Sequence, residues 1–182
     1  IAEVERRLAQ PPFIGVKVYL TYAPPEVPRE EITIFDFLPP ALLDPLNRND
    51  AVVMLHIPRD LRLKDPVNLD QLIEIDRTYP RVRTIVAHVG RAYCAEDLGN
   101  AFELLEHTEH LLFDTSANTN VEVFAELLRR IGPHRVLFGS DLPITRMRMH
   151  RICEDGRYVN LVPAGAYGDL SDDSHMREVA GA

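Results

Sequence analysis

Three apolar segments of this 182-residue chain each end on a side chain that can bind a metal or move a proton. The segments AVVMLH, VRTIVAH and RVLFGSD end on His56, His88 and Asp141. Runs of this length that are rich in Val, Ile and Leu are typical of strands buried in a parallel sheet. Because the carboxyl ends of parallel strands lie on one side of a sheet, the two imidazoles and the carboxylate are predicted to share one rim.

The hydrophobic pattern alternates between a strand-like and a helix-like period along the chain. It predicts five strands, at 15–20, 51–56, 82–88, 110–114 and 135–139. It predicts helices at 1–9, at about 68–79 opened by Asn68, at about 95–107 and at about 120–131, with at most a short helix at 41–48. The tail, 142–182, is predicted to be irregular apart from a short helix around 145–153.

Strands that alternate with helices indicate a parallel α/β sheet. No G-x-G-x-x-G follows a strand, so a dinucleotide-binding open sheet has no support, and functional residues on successive strand ends favour a (β/α)8 barrel. A whole barrel needs about 250 residues. We therefore expect a partial (β/α)8 TIM barrel, roughly its last five strands with outer helices. The expected organisation is a single domain over 1–182, incomplete at both ends.

Composition narrows the possible partners. The net charge of −8, without a basic run, argues against a nucleic-acid partner. No apolar stretch is long enough to cross a membrane. Cys94 and Cys153 form neither a C-x-x-C pair nor a secreted disulfide scaffold, so both are predicted to be reduced thiols in a cytoplasmic protein. The exposed strand edges of an incomplete barrel predict self-association, so a homo-oligomer is one expected state.

The first two strand ends suggest a ligand and an acid/base group. His56 could bind a metal through a neutral ring nitrogen, or could be a buried histidine bonded to a carbonyl. His88 is followed by Gly90, which allows a tight turn, and by Arg91. The pair suits an acid/base imidazole beside a guanidinium that holds an anion. The alternative is a structural histidine with Arg91 paired to a carboxylate such as Glu96.

Other candidates are weighed in the same way. A carboxylate at the end of an apolar strand is costly unless it is paired, so Asp141 is predicted to be functional rather than a helix cap. Asp114 could hydrogen-bond a ligating histidine or form an Asx turn. Lys17 is predicted to face inward, more as a salt-bridged barrel lysine than as a holder of a substrate carboxylate. Ser116 and Ser140 lack a G-x-S-x-G elbow. Three histidines near amino ends of strands are expected to be structural: His107, His110 and His134.

The segments ending in Leu-His56, Ala-His88-Val-Gly-Arg91 and Gly-Ser-Asp141-Leu-Pro resemble the last strands of the amidohydrolase-related family. This branch includes aminocarboxymuconate semialdehyde decarboxylase-like and resorcylate decarboxylase-like enzymes. The resemblance implies a distorted (β/α)8 barrel with one divalent metal, usually zinc. It implies that His56 binds the metal, that His88 acts on substrate and that Asp141 contacts the metal and its water. The family's H-x-H or E-x-H pair has no counterpart in this chain.

The leading hypothesis is a metal-dependent hydrolase acting on a C–N, ester or lactone bond of a small molecule. The metal would lower the pKa of a water, Asp141 would take its proton, and His88 and Arg91 would handle developing charge or a carboxylate. One alternative is a non-oxidative decarboxylase with a carboxylate-bearing substrate on the same scaffold. Another is a barrel fragment without catalytic activity.

Overall fold

The main sheet of the protein is parallel. The computed structural model describes residues 1–143, 146 and 148–180. Five strands are hydrogen-bonded in the order in which they occur along the chain, and each runs parallel to its neighbour. The predicted parallel α/β sheet of five strands is confirmed. The strands are β1 (Gly15–Val18), β2 (Val52–Leu55), β3 (Arg83–Val86), β4 (Leu111–Asp114) and β5 (Val136–Leu137).

Helices connect the strands. The segment predicted as a helix at 95–107 consists of a 3-10 turn and a shorter helix. Where at most one short helix was expected, at 41–48, two helices are found between 34 and 48. The helices are α1 (Ala2–Leu8), α2 (Ile34–Phe37), α3 (Pro40–Arg48), α4 (Pro66–Thr78), α5 (His88–Arg91), α6 (Ala101–Leu105) and α7 (Val121–Arg130). Short 3-10 turns lie at Leu20–Tyr22, Arg62–Lys64, Ala95–Asp97 and Pro133–Arg135.

The start of α4 corrects the prediction that Asn68 opens this helix. The cap is Asp65, whose carboxylate accepts hydrogen bonds from the backbone N–H groups of Val67 and Asn68. Pro66 occupies the first helical position, where its missing N–H costs nothing. Asn68 itself is buried, and its side chain donates to the carbonyl oxygen of Arg62.

The core lies between the sheet and its helices. On β2, Val53 and Leu55 are fully buried, whereas Met54 between them is half-buried on the opposite face. Leu72 of α4 and Leu127 of α7 are fully buried in the same cluster. Each such side chain contributes about 1.5–3 kcal/mol on burial. The face of the sheet that carries Met54 borders a cavity.

The tail forms a second sheet, so the prediction of an irregular tail with a helix around 145–153 is wrong over the described residues; residues 145 and 147 lie outside them. A two-residue loop of Asp155 and Gly156, with φ of 50° and 72°, joins the first two strands. Positive φ at both positions is the geometry that an Asp-Gly hairpin favours. The strands, antiparallel and then parallel, are β6 (His150–Glu154), β7 (Arg157–Pro163) and β8 (Met176–Val179).

A disulfide fastens this second sheet to the loop after β3. It joins Cys94, which is buried, to Cys153 on β6. The prediction of two reduced thiols is therefore wrong. The two residues are 59 positions apart in sequence, and the hairpin that brings them together was not predicted. The cytoplasmic location inferred from free thiols stays a prediction.

A stacked guanidinium also holds the second sheet in place. The guanidinium carbon of Arg151 lies 4.2 Å from the ring centre of Tyr93 and 4.9 Å from that of Tyr158. Arg151 also donates to the carbonyl oxygen of Ala117 at 2.6 Å and to the side chain of Asn160 at 2.8 Å. Stacked and hydrogen-bonded in this way, one side chain connects β6 and β7 to the loop after β4.

Within the described chain, no helix has the length and apolarity that crossing a membrane requires.

Candidate active site

Polar side chains meet where β2, β3, β4 and β5 end. His56 directly follows β2, His88 lies just beyond β3, Asp114 is the last residue of β4, and Asp141 follows β5. All four line one cavity of about 180 Å³ at the carboxyl ends of the strands. The three residues predicted to share a rim, His56, His88 and Asp141, are thus brought together.

The two imidazoles are in direct contact. Nε2 of His56 lies 2.9 Å from Nε2 of His88, and the rings meet edge to face. Oδ2 of Asp141 lies 3.9 Å from the same nitrogen of His88. The ring of Tyr19 stacks on His56 with the centroids 4.3 Å apart. A nitrogen-to-nitrogen distance of 2.9 Å is a hydrogen bond, so one proton lies between the two imidazoles.

The surroundings of His88 fix its tautomer. Its Nδ1 lies 3.0 Å from the carbonyl oxygen of Ser116 and 2.9 Å from the hydroxyl of Ser116. That hydroxyl donates to Oδ1 of Asp114, so it can only accept from the imidazole. With two acceptors beside it, Nδ1 of His88 carries the proton. Nε2 is therefore the nitrogen that faces the cavity with the freedom to gain or lose a proton.

Asp114 forms the Asx turn, which is one of the two roles that the sequence left open, and it does not hydrogen-bond the ring of His56, the histidine expected to bind a metal. Oδ1 of Asp114 accepts from the backbone N–H of Ser116 at 2.9 Å, which is an Asx turn. The same oxygen accepts from the backbone N–H of His88 at 3.1 Å and from the Ser116 hydroxyl. Asp114 thereby orients His88 through its main chain and through Ser116.

The backbone that presents His88 is strained. All four residues of α5, His88 to Arg91, have positive φ, between 51° and 61°. A β-branched residue such as Val89 strongly disfavours this region, and each such residue costs about 1–3 kcal/mol. At Gly90, where φ is 61°, a Cβ atom would lie 2.5 Å from Cδ1 of Leu63, so a larger residue would have to displace that side chain. The glycine that was predicted to allow a tight turn is confirmed.

The site keeps His56 neutral. Burial, together with the nearby His88 and Lys17, lowers the pKa of its imidazole to about 4, against the opposing effect of Asp141 and Asp114. Its Nδ1 is buried, and the described chain provides no hydrogen-bond partner for it. A buried polar atom without a partner costs about 1–3 kcal/mol.

Two basic residues were assigned to this rim from sequence. Lys17 on β1 lines the cavity, as predicted, and its Nζ lies 5.3 Å from the ring centre of Tyr19. No carboxylate within the described ranges pairs with it, so the expected salt bridge is absent there. Arg91 is not paired to Glu96. It donates to the carbonyl oxygens of Ile57 and Pro58 at 3.5 and 3.4 Å and borders a neighbouring cavity.

A metal would not find a complete set of ligands among these residues. Over 1–143, 146 and 148–180, no three His, Cys, Asp or Glu side chains are grouped so that they could hold an ion. The contact between the two Nε2 atoms occupies the space between the imidazoles, and Nδ1 of His56 is covered. The donor set present does not fit a metal as it is arranged here.

Sequence reasoning missed two members of the site. Ser116 was considered only as a nucleophile, whereas it orients His88, and its position just after the Asp114 that ends β4 could have indicated this. Tyr19, just after β1, could have been found by the same criterion. Of the remaining histidines, His107 and His134 are exposed and lie outside the cavity that His56 and His88 line. His175, unplaced from sequence, stacks on Tyr158 at 4.1 Å.

The family of the chain follows from a comparison of its sequence with family models. The model described as Amidohydrolase matches residues 1–161, which is most of the chain. The chain therefore belongs to the amidohydrolase family, and the resemblance stated from its strand ends is confirmed. No curated protein matches it.

Solved structures share the fold at low identity. The 5-carboxyvanillate decarboxylase from Sphingomonas paucimobilis is 14% identical, with a TM-score of 0.52 over 79% of this chain and 52% of its own. A Polaromonas dihydroxybenzoic acid decarboxylase with bound manganese is 17% identical, with a TM-score of 0.50 over 78% and 54%. A Burkholderia multivorans amidohydrolase with bound zinc is 15% identical, with a TM-score of 0.52 over 80% and 56%.

These comparisons establish the architecture. The chain spans about half the length of the solved proteins that it matches. Together with the five parallel strands, this confirms that the fold is part of a TIM barrel of the amidohydrolase type.

Proposed function

We propose that this protein is an enzyme that transfers protons to and from a small carboxylate-bearing molecule, and that the reaction is a non-oxidative decarboxylation. The observation that carries the proposal is the contact between His56 and His88 beside Asp141. Nδ1 of His88 is held as a donor, so its Nε2 can deliver or accept a proton at the cavity. The names of two solved relatives in fold, both decarboxylases, support this reaction class.

The proposed step balances without an added oxidant. The bond between the carboxylate carbon and the rest of the substrate breaks, and CO₂ leaves. The electron pair that remains on the substrate carbon takes the proton from Nε2 of His88. Asp141, 3.9 Å from that nitrogen, stabilises the imidazolium before the transfer. Before His88 takes up that proton, the neutral His56, whose pKa is about 4, donates its Nε2–H to Nε2 of His88; this contact opens when His88 becomes charged.

Lys17 is the proposed holder of the substrate carboxylate. It lines the same cavity, and no acidic partner neutralises it among the described residues. A positive charge there attracts an acid to the cavity, although the chain as a whole carries −8. The cavity of about 180 Å³ suits a small molecule.

Hydrolysis is the second candidate, with a C–N, ester or lactone bond as its target. It is favoured by the partial exposure of the Asp141 side chain, at 23%, which leaves a carboxylate free to take a proton from water. His88 would then protonate the leaving group. Arg91, predicted as a third catalytic residue, borders the neighbouring cavity and would act only on a substrate that reaches there.

A divalent metal remains a proposal, with zinc as the expected ion. His56 and Asp141 are the residues that would contact it, and the ion would supply a Lewis acid for a substrate oxygen or a water. Manganese and zinc in two solved structures of this fold support the expectation. Further ligands would be needed, and the contact between His56 and His88 would have to open. Zinc and manganese content and titration, in the protein and in Asp141→Asn, test this directly.

The reaction is tested with carboxylates carrying ¹³C in the acid group. We would incubate the protein with 2,6-dihydroxybenzoate, 5-carboxyvanillate and a panel of lactones and amides, and follow labelled CO₂ and released acid by NMR. Release of labelled CO₂ that is abolished in His88→Asn, and retained in His110→Gln, supports decarboxylation. Acid release from a lactone or amide with the same dependence supports hydrolysis instead. Neither activity, with the spectrum of the two imidazoles unchanged by any compound, would overturn the proposal.

A further inference from the structure

A second cavity, of about 500 Å³, lies beside the first, between the parallel sheet and the second sheet. We call it the basic cavity. Its wall comes from the loop after β2, the loop after β3, the β6–β7 hairpin and the segment before β8. Four cationic side chains from these elements line it: Arg62, Lys64, Arg91 and Arg157.

The acidic side chains in this wall are already neutralised. Asp97 accepts two hydrogen bonds from Arg62, at 2.8 and 2.9 Å, and both side chains are largely buried. Asp60 pairs with Arg29, 3.5 Å away. The two carboxylates that border the basic cavity therefore have counter-charges of their own.

Three cations in the wall have no such counter-charge among the residues that the structure describes. Lys64 donates only to the carbonyl oxygen of Glu96, at 2.8 Å. Arg91 donates only to the carbonyl oxygens of Ile57 and Pro58. Arg157 is exposed, and within the described part of the chain no acidic side chain pairs with Lys64, Arg91 or Arg157.

An uncompensated cluster of positive charge is unusual on a chain with a net charge of −8. Like charges around one cavity repel each other, and an anion between them removes that repulsion. Guanidinium groups match the geometry of phosphate oxygens, and an ammonium adds a point charge. The 54% exposed side chain of Leu61 adds an apolar wall, and the volume exceeds what the anion alone would fill.

We propose that the basic cavity is a binding site for a dianionic phosphate group carried on a small molecule. Lys64, Arg91 and Arg157 contact the phosphate oxygens, and Leu61 packs against the body of the ligand. The site is separate from the cavity of His56 and His88, because the residues that line the two do not overlap. It does not depend on the reaction proposed for the first cavity.

The test is a titration of the protein with inorganic phosphate, in which binding is measured by calorimetry and by the shifts of amide NMR signals. Lys64→Gln and Arg157→Gln, singly and together, remove charge from the wall. Lys64 is half-buried and Arg157 exposed, and neither is a packing residue of the core, so circular dichroism should show an intact fold. The matched control is Arg83→Gln, an exposed arginine at the start of β3, outside the basic cavity.

We expect saturable binding of phosphate by the unmodified protein, at least tenfold weaker in the double variant and changed by less than twofold in Arg83→Gln. Shifted amides should include those of the β6–β7 hairpin. No saturable binding, or equal weakening in Arg83→Gln, would overturn the site. Acetate binding as tightly as phosphate would overturn its assignment to a dianion.

Discussion

The hydrogen bonding of polar groups differs between the two ends of the parallel sheet. At the amino end, buried Arg135 donates to the carbonyl oxygens of Leu105, Thr108 and Ile131 and to the Thr108 hydroxyl. Asp76 accepts from two backbone N–H groups at the start of the segment leading to β4. Arg135 and Asp76 are paired with the main chain, as groups that serve stability are.

The carboxyl end carries unpaired and strained groups. Nδ1 of His56 is buried without a partner in the described chain, and the pKa of that imidazole is lowered to about 4. His88, Val89 and Asp141 all have positive φ. Such costs persist only where the surrounding structure imposes them, and they are typical of sites that act on a ligand. These unpaired and strained surroundings, rather than the number of histidines in the chain, identify His56 and His88 as the candidates for function.

The largest expected effect is a loss of turnover when the acid/base group at the carboxyl end is removed. His88→Asn keeps a residue that tolerates positive φ but removes the acid/base group, so turnover should fall by about 10²–10⁴. The measurement is the rate of CO₂ or acid release on the substrate identified above, with circular dichroism as a check on folding. His110→Gln, from the other end, is the control and should retain turnover. Full activity in His88→Asn would contradict the comparison.

The second largest expected effect is a loss of stability when the buried arginine at the amino end is replaced. Arg135→Met removes a guanidinium and leaves buried carbonyl oxygens without donors, so the free energy of unfolding should fall by about 3 kcal/mol. Urea titration measures it. Ligand binding at the carboxyl end, measured on the fraction that remains folded, should be unchanged. A variant that loses binding but keeps its stability would reverse the assignment of the two ends.

The third effect is a pH dependence at His56. The imidazole binds a proton below 6.5 when unfolded but only below about 4 when folded, so the unfolded state holds more protons between these values. Stability is therefore lost as the pH falls from 6.5 to 4. With allowance for partial exposure of the ring, the loss is on the order of 1–2 kcal/mol. Urea titrations across this range, with a chelator present, should show the slope in the protein and a smaller one in His56→Asn.

The smallest expected effect tests how much the Ser116 hydroxyl contributes to the orientation of His88. Ser116→Ala removes the hydroxyl but leaves the Ser116 carbonyl oxygen, so Nδ1 of His88 keeps an acceptor. We expect a loss of about 1 kcal/mol of stability and less than a tenfold fall in turnover. A fall as large as that of His88→Asn would mean that the hydroxyl itself takes part in the chemistry.

Much of the parallel sheet could be predicted from sequence because its strands are apolar runs with polar ends. The convergence of His56, His88 and Asp141 follows from the rule that parallel strands end on one rim. The start of α4 was misplaced because Asp65 and Asn68 both suit a cap, and Pro66 after Asp65 decides between them.

Other features depend on contacts that a linear pattern does not contain. The Cys94–Cys153 disulfide and the stacking of Arg151 need the second sheet, whose only local signal is the Asp155-Gly156 turn within an otherwise ambiguous tail. The hydrogen bonds of Ser116 join the ends of two strands that are neighbours in space. The uneven charge of the basic cavity likewise appears only when three loops are brought together.

The most direct test of the acid/base site is ¹⁵N NMR of the histidine rings, in the free protein and with 2,6-dihydroxybenzoate. We predict a proton on Nδ1 of His88, a coupling between the Nε2 nitrogens of His56 and His88 across their hydrogen bond, and loss of that coupling when the acid binds. A proton on Nε2 of His88 alone, with both rings unchanged by the acid, would contradict the account.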